Sequence, residues 1–363
     1  MYLNNIKLYK YRSYEYLDLP FKKGINIISG KNAQGKTNII EAIYYFSSLR
    51  SHRFVLDREL IKENNEKAMM KIEYNRKKEE NMKIVLNSFS RKEIYKNNIK
   101  TEKSDFLGNF YSVLFSPEDL NLIKGEKELR RKFIDTDIIQ LRPNFYNVLR
   151  LYNNVLLNRN KILKGEIKGD NDSLLKIYTD NLIKYGCEIM LYRNLYIERL
   201  KETAKKIYKD ISNDNRELKI KYKSFFEIED SENKKELIKK FSEEYEKVKE
   251  EEKIRKTTLI GPHKDDIEFI LDDKNAKIFA SQGQQRTIIL SLKLSELIFI
   301  NELTGEKPVL LLDDILSELD KERQNKLLNY IKNYQTIITV TDAQKINIKE
   351  ANIIKIENSK IVN

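Results

Sequence analysis

The chain has 363 residues, 40% of them hydrophobic and 34% charged, which fits a soluble globular protein of two or three domains of about 150 residues each. Its single cysteine, Cys187, excludes an internal disulfide and a cysteine-based metal site, and no apolar run approaches the roughly 18 residues needed to span a bilayer. A formal net charge of +12 favours a polyanionic partner such as nucleic acid, although a composition rich in Lys, Asn, Ile and Tyr gives the same charge without one; with no apolar leader stretch, the chain is read as cytosolic.

Residues 5–11 and 16–19 alternate as strands do. The tyrosines at 2, 9, 11, 14 and 16 fit half-buried sheet surface, where Tyr is favoured, or base stacking. Residues 24–29 read as a short β-branched strand, and residues 37–46 carry Ile39, Ile40, Ile43 and Phe46 at helical spacing. Between them, Gly30, Lys31, Asn32, Ala33, Gln34, Gly35, Lys36 and Thr37 fit G-x-x-x-x-G-K-[ST] at every fixed position. A loop running from a buried strand into a helix turns its backbone N–H groups around β- and γ-phosphates, at the positive end of the helix dipole. Lys36 then neutralises phosphate charge, the Thr37 hydroxyl joins the shell of a Mg²⁺ ion, and Asn38 completes the expected nucleotide-contacting stretch. ATP and Mg²⁺ are the expected cofactors.

Residues 83–86 and 111–115 suggest further strands. From 117 the texture turns helical, at 129–139, 145–163, 174–208 and 234–253, interrupted by a strand-like 217–226 and by a Gly-, Asp- and Asn-rich loop tip at 165–173. After 257 the α/β texture returns. Residues 267–271 and 276–279 resemble a hairpin, 286–303 and 321–333 helices, 309–312 and 336–340 buried strands, and 353–361 a last hairpin. The expected organisation is one α/β core written in two parts, 1–116 and 255–363, with a mainly helical lobe, 117–254, between them. The strand at 309–312 ends in Asp313 and Asp314: Asp313 is expected to hold the magnesium through water, and Asp314 to polarise the attacking water as general base, so that Lys36 and Asp314 are the expected catalytic residues.

Ser281-Gln282-Gly283-Gln284-Gln285 opens the helix at 286–303 and resembles the Ser-Gly-Gly-Gln signature of ATP-binding-cassette ATPases, with Gln282 in place of the first Gly; a simple Ser-capped helix has the same letters. Residues 313–320, Asp-Asp-Ile-Leu-Ser-Glu-Leu-Asp, resemble the acidic strand end and following loop of the same ATPases. Residues 258–266, residues 281–286, the Asp313-Asp314 pair and the opening Tyr11-Arg12-Ser13-Tyr14 are similar to the RecF family of recombination mediators, and the resemblance spans the whole chain.

That resemblance implies an α/β, cassette-type P-loop ATPase head like those of SMC proteins, with a short helical lobe where those carry long arms. Two heads would close face to face around two ATP molecules, Ser281, Gly283 and Gln284 of one subunit capping the γ-phosphate held by Lys36 and Thr37 of the other, while Arg12 reaches the α-phosphate. It further implies an ATP-bound homodimer that binds double-stranded and gapped DNA and helps load RecA with RecO and RecR, using weak, DNA-stimulated hydrolysis as a switch. Asp314 stands where cassette ATPases carry a catalytic Glu, and Thr341-Asp342 where they carry a switch His, so slow turnover is expected. Residues 115–119 fit either the glutamine loop, with Glu118 near the metal water, or a helix-initiating turn; His263 fits a phosphate-proximal donor or a structural histidine. Arg130-Arg131-Lys132, Lys205-Lys206 and Arg50 with Arg53 are candidate DNA contacts or solvated surface. A small-molecule kinase lacks the signature helix, a transporter ATPase has its signature far closer to the loop than about 250 residues, and an SMC-like head acting in chromosome organisation needs longer arms than this insert.

Overall fold

Alternating apolar residues near the start of the chain bury one face of a sheet and leave the other wet. In the strand Tyr2–Tyr11 the buried positions are Leu3, Ile6, Leu8 and Tyr11; the step from Leu3 to Ile6 breaks the period of two, and a bulge between Leu3 and Asn5 absorbs it. The structure, a computed structural model, describes residues 1–167, 171–212, 214–228, 233–342 and 350–362. Six antiparallel strands form this first sheet in the order Tyr14–Pro20, Tyr2–Tyr11, Lys67–Asn75, Glu79–Asn87, Glu93–Lys96 and Ile99–Lys100.

The second sheet is read from both ends of the chain. Its order is Lys360–Val362, Ala351–Glu357, Ile25–Ser29, Thr336–Val340, Val309–Asp313 and Ser112–Phe115, parallel throughout except for the terminal hairpin. Every residue of Ser112–Phe115, Val309–Asp313 and Thr336–Val340 is buried, as expected of parallel strands covered on both faces. The helix Lys36–Ser48 buries Ile39, Ile40, Ile43 and Phe46, and its Ser47 hydroxyl lies 2.7 Å from that of Ser112. Both sheets belong to one compact unit, Met1–Leu120, Ile207–Asn215 and Arg286–Asn363.

The second unit comprises Asn121–Lys206 and Arg216–Gln285. Its helices are Lys127–Leu141, Asn144–Leu163, Lys234–Arg255 and most of Asn171–Ile211, and its core includes Ile183, Cys187, Met190, Leu237 and Phe241. Residues 168–170 of the expected loop tip lie outside the described residues. The inserted lobe therefore runs to Gln285, past the expected boundary at 254, because Asp266–Leu271 pairs antiparallel with Leu218–Lys223, from Asp266 opposite Lys223 to Leu271 opposite Leu218. Residues 276–279 also depart from expectation. The hairpin ladder stops at Asn275, whose side chain accepts the Lys277 N–H at 2.9 Å and starts the short helix Ala276–Phe279. Among the described residues no helix is long and apolar enough to cross a membrane.

Gln335, 6% exposed, fastens the start of Thr336–Val340 to the first sheet. Its side-chain oxygen accepts the Leu3 N–H at 2.6 Å, and its amide donates to the carbonyls of Leu3 at 2.8 Å and Lys22 at 2.9 Å. Gln335→Leu leaves these backbone groups unpaired, at about 1–3 kcal/mol for each that stays buried. Scanning calorimetry is expected to show a fall in Tm on the order of 5–10 °C; a shift below about 2 °C would contradict this role.

Candidate nucleotide-binding site

Parallel strands bring their carboxyl ends to one edge of a sheet, and that edge is where open α/β sheets bind ligands. Ile25–Ser29 ends there in the phosphate loop and Val309–Asp313 in the two carboxylates, with Thr336–Val340 between them. The register sets Asp313 opposite Thr339, and Thr339 opposite Ile28. Thr339 Oγ1 donates to Asp313 Oδ1 at 2.6 Å, Thr37 Oγ1 donates to the same oxygen at 3.1 Å, and the Asp314 N–H donates to Thr339 Oγ1 at 3.0 Å. Thr339 was invisible as a site residue in the sequence, where it reads only as a β-branched member of an apolar run.

The loop is shaped by what presses on it. A Cβ on Gly30 would lie 2.3 Å from the Ile356 carbonyl oxygen, and one on Gly35, at φ 97°, would lie 2.9 Å from the Tyr14 hydroxyl. Only glycine fits either place. Tyr14 donates to the Gly35 carbonyl at 3.2 Å, the Asn38 amide donates to Ser13 Oγ at 3.1 Å, and the Asn358 N–H donates to Gln34 Oε1. Lys31, Asn32 and Ala33 are exposed at the tip. Lys36, 4% exposed, turns its ammonium back onto the carbonyls of Gly30 at 2.7 Å and Lys31 at 3.0 Å. Burial lowers its pKa, with Asp314 and Asp313 pulling the other way.

Burial also raises the Asp313 carboxyl, Asp314 and Glu118 adding to the rise against hydrogen bonds from Thr339 and Thr37. An oxygen donor set under mutual repulsion suits a hard divalent cation, so Thr37 and Asp313 fit Mg²⁺. Asp314 sits at φ 51° ahead of the turn Ile315–Glu318. Residues 117–120 form the short turn Pro117–Leu120, and within it the charge of Glu118 still reaches Asp313.

Arg12 is committed within the protein. Its Nε and Nη2 donate to the two Glu41 oxygens at 2.9 and 2.8 Å, and its Nη1 donates to the Glu59 carbonyl at 3.1 Å. Glu41 is fully buried on the helix that follows the loop, so Arg12 first of all braces that helix. Burial pushes the Glu41 carboxyl up, but Arg12 and Ser51 outweigh it and hold the group below its ordinary value.

Ser281, Gly283 and Gln284 lie in the second unit, at the opening of the helix Gln282–Thr304. Ser281 Oγ accepts the Gln284 N–H at 3.3 Å and Gln284 Oε1 accepts the Ser281 N–H at 2.9 Å, a reciprocal cap that leaves Ser281 exposed. Several candidate DNA contacts turn out to be engaged. Arg130, 7% exposed, grips both oxygens of Asp266 at 2.7 and 3.0 Å; Arg131 donates to the Asp265 carbonyl at 2.6 Å; Lys132 pairs with Glu128 at 2.8 Å, and Lys205 with Glu217. His263 has a structural setting, its Nδ1 2.7 Å from the Tyr152 hydroxyl in the second unit, where burial lowers its pKa to about 4. Tyr11 and Tyr14 are fully buried, and Tyr9 and Tyr16 face each other on the open side of the first sheet.

Loop, acidic strand end and intervening strand are those of a P-loop ATPase head of the cassette type. A solved SMC head bound to the C-terminal winged-helix domain of ScpA, 16% identical, superposes with a TM-score of 0.55 over 100% of this chain and 98% of its own, a likeness of fold alone. The family described as RecF/RecN/SMC N terminal domain matches residues 2–361. The DNA replication and repair protein RecF of Oenococcus oeni is 41% identical over 100% of both chains, and that of Bacillus mycoides 40% identical over 99% of this chain and 98% of its own. A solved structure of the recombination mediator protein RecF with ATP, of the RecFOR pathway, is 33% identical with a TM-score of 0.92, over 99% of this chain and 97% of that one. The chain belongs to the RecF family.

Arg12→Met strands the buried Glu41 carboxylate, at about 3–5 kcal/mol near pH 7. Because Glu41 titrates below its ordinary value of 4.5, the pair's stabilisation is complete above that value and fades as pH falls through the depressed one. The Tm gap between native chain and variant is expected to be wide at pH 7 and to narrow toward pH 4, where the stranded carboxylate protonates. A gap that stays constant over this range would rule out the pair as its source.

Proposed function

We propose that the chain is an ATP-dependent DNA-binding protein of recombinational repair and replication, in which ATP bridges two copies of the chain. The observation that carries this reading is the single carboxylate oxygen of Asp313 shared by Thr37 and Thr339 at the edge where the glycine-cradled loop opens. The loop N–H groups and Lys36 receive the β- and γ-phosphates, Lys36 exchanging the carbonyls of Gly30 and Lys31 for phosphate oxygens. Arg12, braced by Glu41 and Glu59, supplies positive charge to the α-phosphate. Thr37 and Asp313 hold Mg²⁺, which when bound neutralises phosphate charge.

Asp314 takes the proton of the water that attacks the γ-phosphorus. It is one methylene shorter than glutamate and has no histidine beside it at Thr341-Asp342, so hydrolysis is slow and acts as a timer. The nucleotide is completed by Ser281, Gly283 and Gln284 of a second copy, where the exposed Ser281 stands at the positive end of a helix dipole suited to a γ-phosphate. The closed pair holds double-stranded and gapped DNA, supported by the +12 net charge, and hydrolysis releases it. The named RecF relatives and the RecFOR pathway of the solved neighbour support RecR and RecO as partners and RecA loading at single-strand gaps as the outcome, in the cytoplasm. The 16% identity to an SMC head, against 33% and 41% for RecF proteins, favours this over a role in chromosome organisation.

Sedimentation velocity of the native chain, Lys36→Arg and Ser281→Arg, with and without ATP and gapped DNA, tests the reading. The native chain is expected to dimerise only with ATP. Ser281→Arg is expected to stay monomeric while binding ATP as tightly as the native chain; an ATP-dependent dimer of that variant would overturn the shared site.

A further inference from the structure

The helix that opens at Ser281 carries a buried charge about three turns further along. Lys293 is 5% exposed, and its Nζ lies 3.7 Å from Asp119 Oδ1 and 3.5 Å from Glu296 Oε2. A lysine at such depth is held by partners, since burying an unpaired ammonium is costly. Asp119 is also the clasp of a turn. Its Oδ2 accepts the Ser116 N–H at 2.7 Å and its own N–H donates to the Ser116 carbonyl at 3.1 Å, which closes Pro117–Leu120. Phe115, the residue before Ser116, pairs with Leu312, the residue before Asp313, so the turn leaves the sheet at the edge where Asp313 stands, and Glu118, exposed within the turn, adds its charge there. Helix, lysine and clasp are thus joined by contacts, and the strand Ser112–Phe115 sets the clasped turn beside the acidic strand end.

We propose that Lys293 and Asp119 form a positioning pair that sets the Pro117–Leu120 turn, and with it Glu118, against the Asp313 end of the site, so that a shift of the helix opened by Ser281 is felt where ATP is cleaved. The proposal rests on the reading of this site as hydrolytic. Neither residue touches nucleotide. Their effect passes through Glu118, which together with Asp314 orients the attacking water. An ion pair in a dry setting is sensitive to geometry, and a displacement of about 1 Å at a reacting centre costs up to about a hundredfold in rate.

The test measures ATP affinity, ATP-dependent dimerisation and single-turnover hydrolysis with gapped DNA for the native chain, Lys293→Met, Lys293→Arg, Asp119→Asn and Ser281→Arg. Lys293→Met is expected to keep ATP affinity and dimerisation within about threefold while its hydrolysis rate drops at least about tenfold. Lys293→Arg, which keeps the charge, is expected to recover most of that loss. Adding Glu118→Gln to Lys293→Met should cost little more, because the two act through one route. A Lys293→Met rate within twofold of native, a Lys293→Arg loss as deep as that of Met, or additive losses with Glu118→Gln would each overturn the pair. If Lys293→Met does not fold, Asp119→Asn carries the comparison, since it keeps an acceptor for Ser116 while removing the charge. A native chain that neither dimerises with ATP nor turns it over would fail the underlying reading; a native chain that does both while Lys293→Met matches it fails the pair alone.

Discussion

The site hangs on the register of one short strand. Thr336–Val340 lies between the strand that leads into the phosphate loop and the strand that ends in Asp313, and Thr339 is the residue it presents at their common edge. Side chains alternate along a strand, so a slip by one residue would turn Thr339 away and leave the buried Asp313 with one fewer donor. Gln335, immediately before this strand, fixes that register from outside the sheet by bonding to the backbone of Leu3 and Lys22.

The loop depends in turn on segments far from it in sequence. Tyr14 and Ser13 press on Gly35, Ile356 presses on Gly30, and Asn358 holds Gln34. The left-handed turn at Gly35 is thus enforced from both ends of the chain. The same logic holds for the helix behind the loop, where Glu41 is tolerated in the core only because Arg12, Ser51 and Tyr11 surround it with donors. A loop backbone held this tightly needs little backbone movement to receive an anion, which is the physical content of pre-organisation.

Much of the fold was legible where burial repeats at a fixed period. The helices Lys127–Leu141, Asn144–Leu163 and Lys234–Arg255 and the strand Leu218–Lys223 stand where their apolar spacing puts them. The strand Lys67–Asn75 escaped notice because its outward positions are Lys67, Met69, Lys71 and Glu73, which mask the alternation of Ala68, Met70, Ile72 and Tyr74 beneath. Residues 276–279 look as apolar as a strand, yet the local bond from Asn275 to Lys277 makes them helical. Arg130 and Arg131 read as surface charge because nothing local shows that Asp265 and Asp266, more than a hundred residues away, will come to meet them.

What the sequence by itself determined is what depends on neighbours along the chain: a glycine-framed loop between a strand and a helix, two carboxylates at the end of an apolar strand, and a serine-capped helix. Phosphate and metal chemistry is written in such short patterns because a few adjacent backbone groups and side chains suffice to perform it. What only the tertiary structure decided is what depends on register between distant strands: Thr339 beside Asp313, Glu41 beneath Arg12, the lobe's extension to Gln285, and the connection from Lys293 to Asp119. Those pairings come from the burial of whole elements against one another, and the sequence states each partner without stating that they meet.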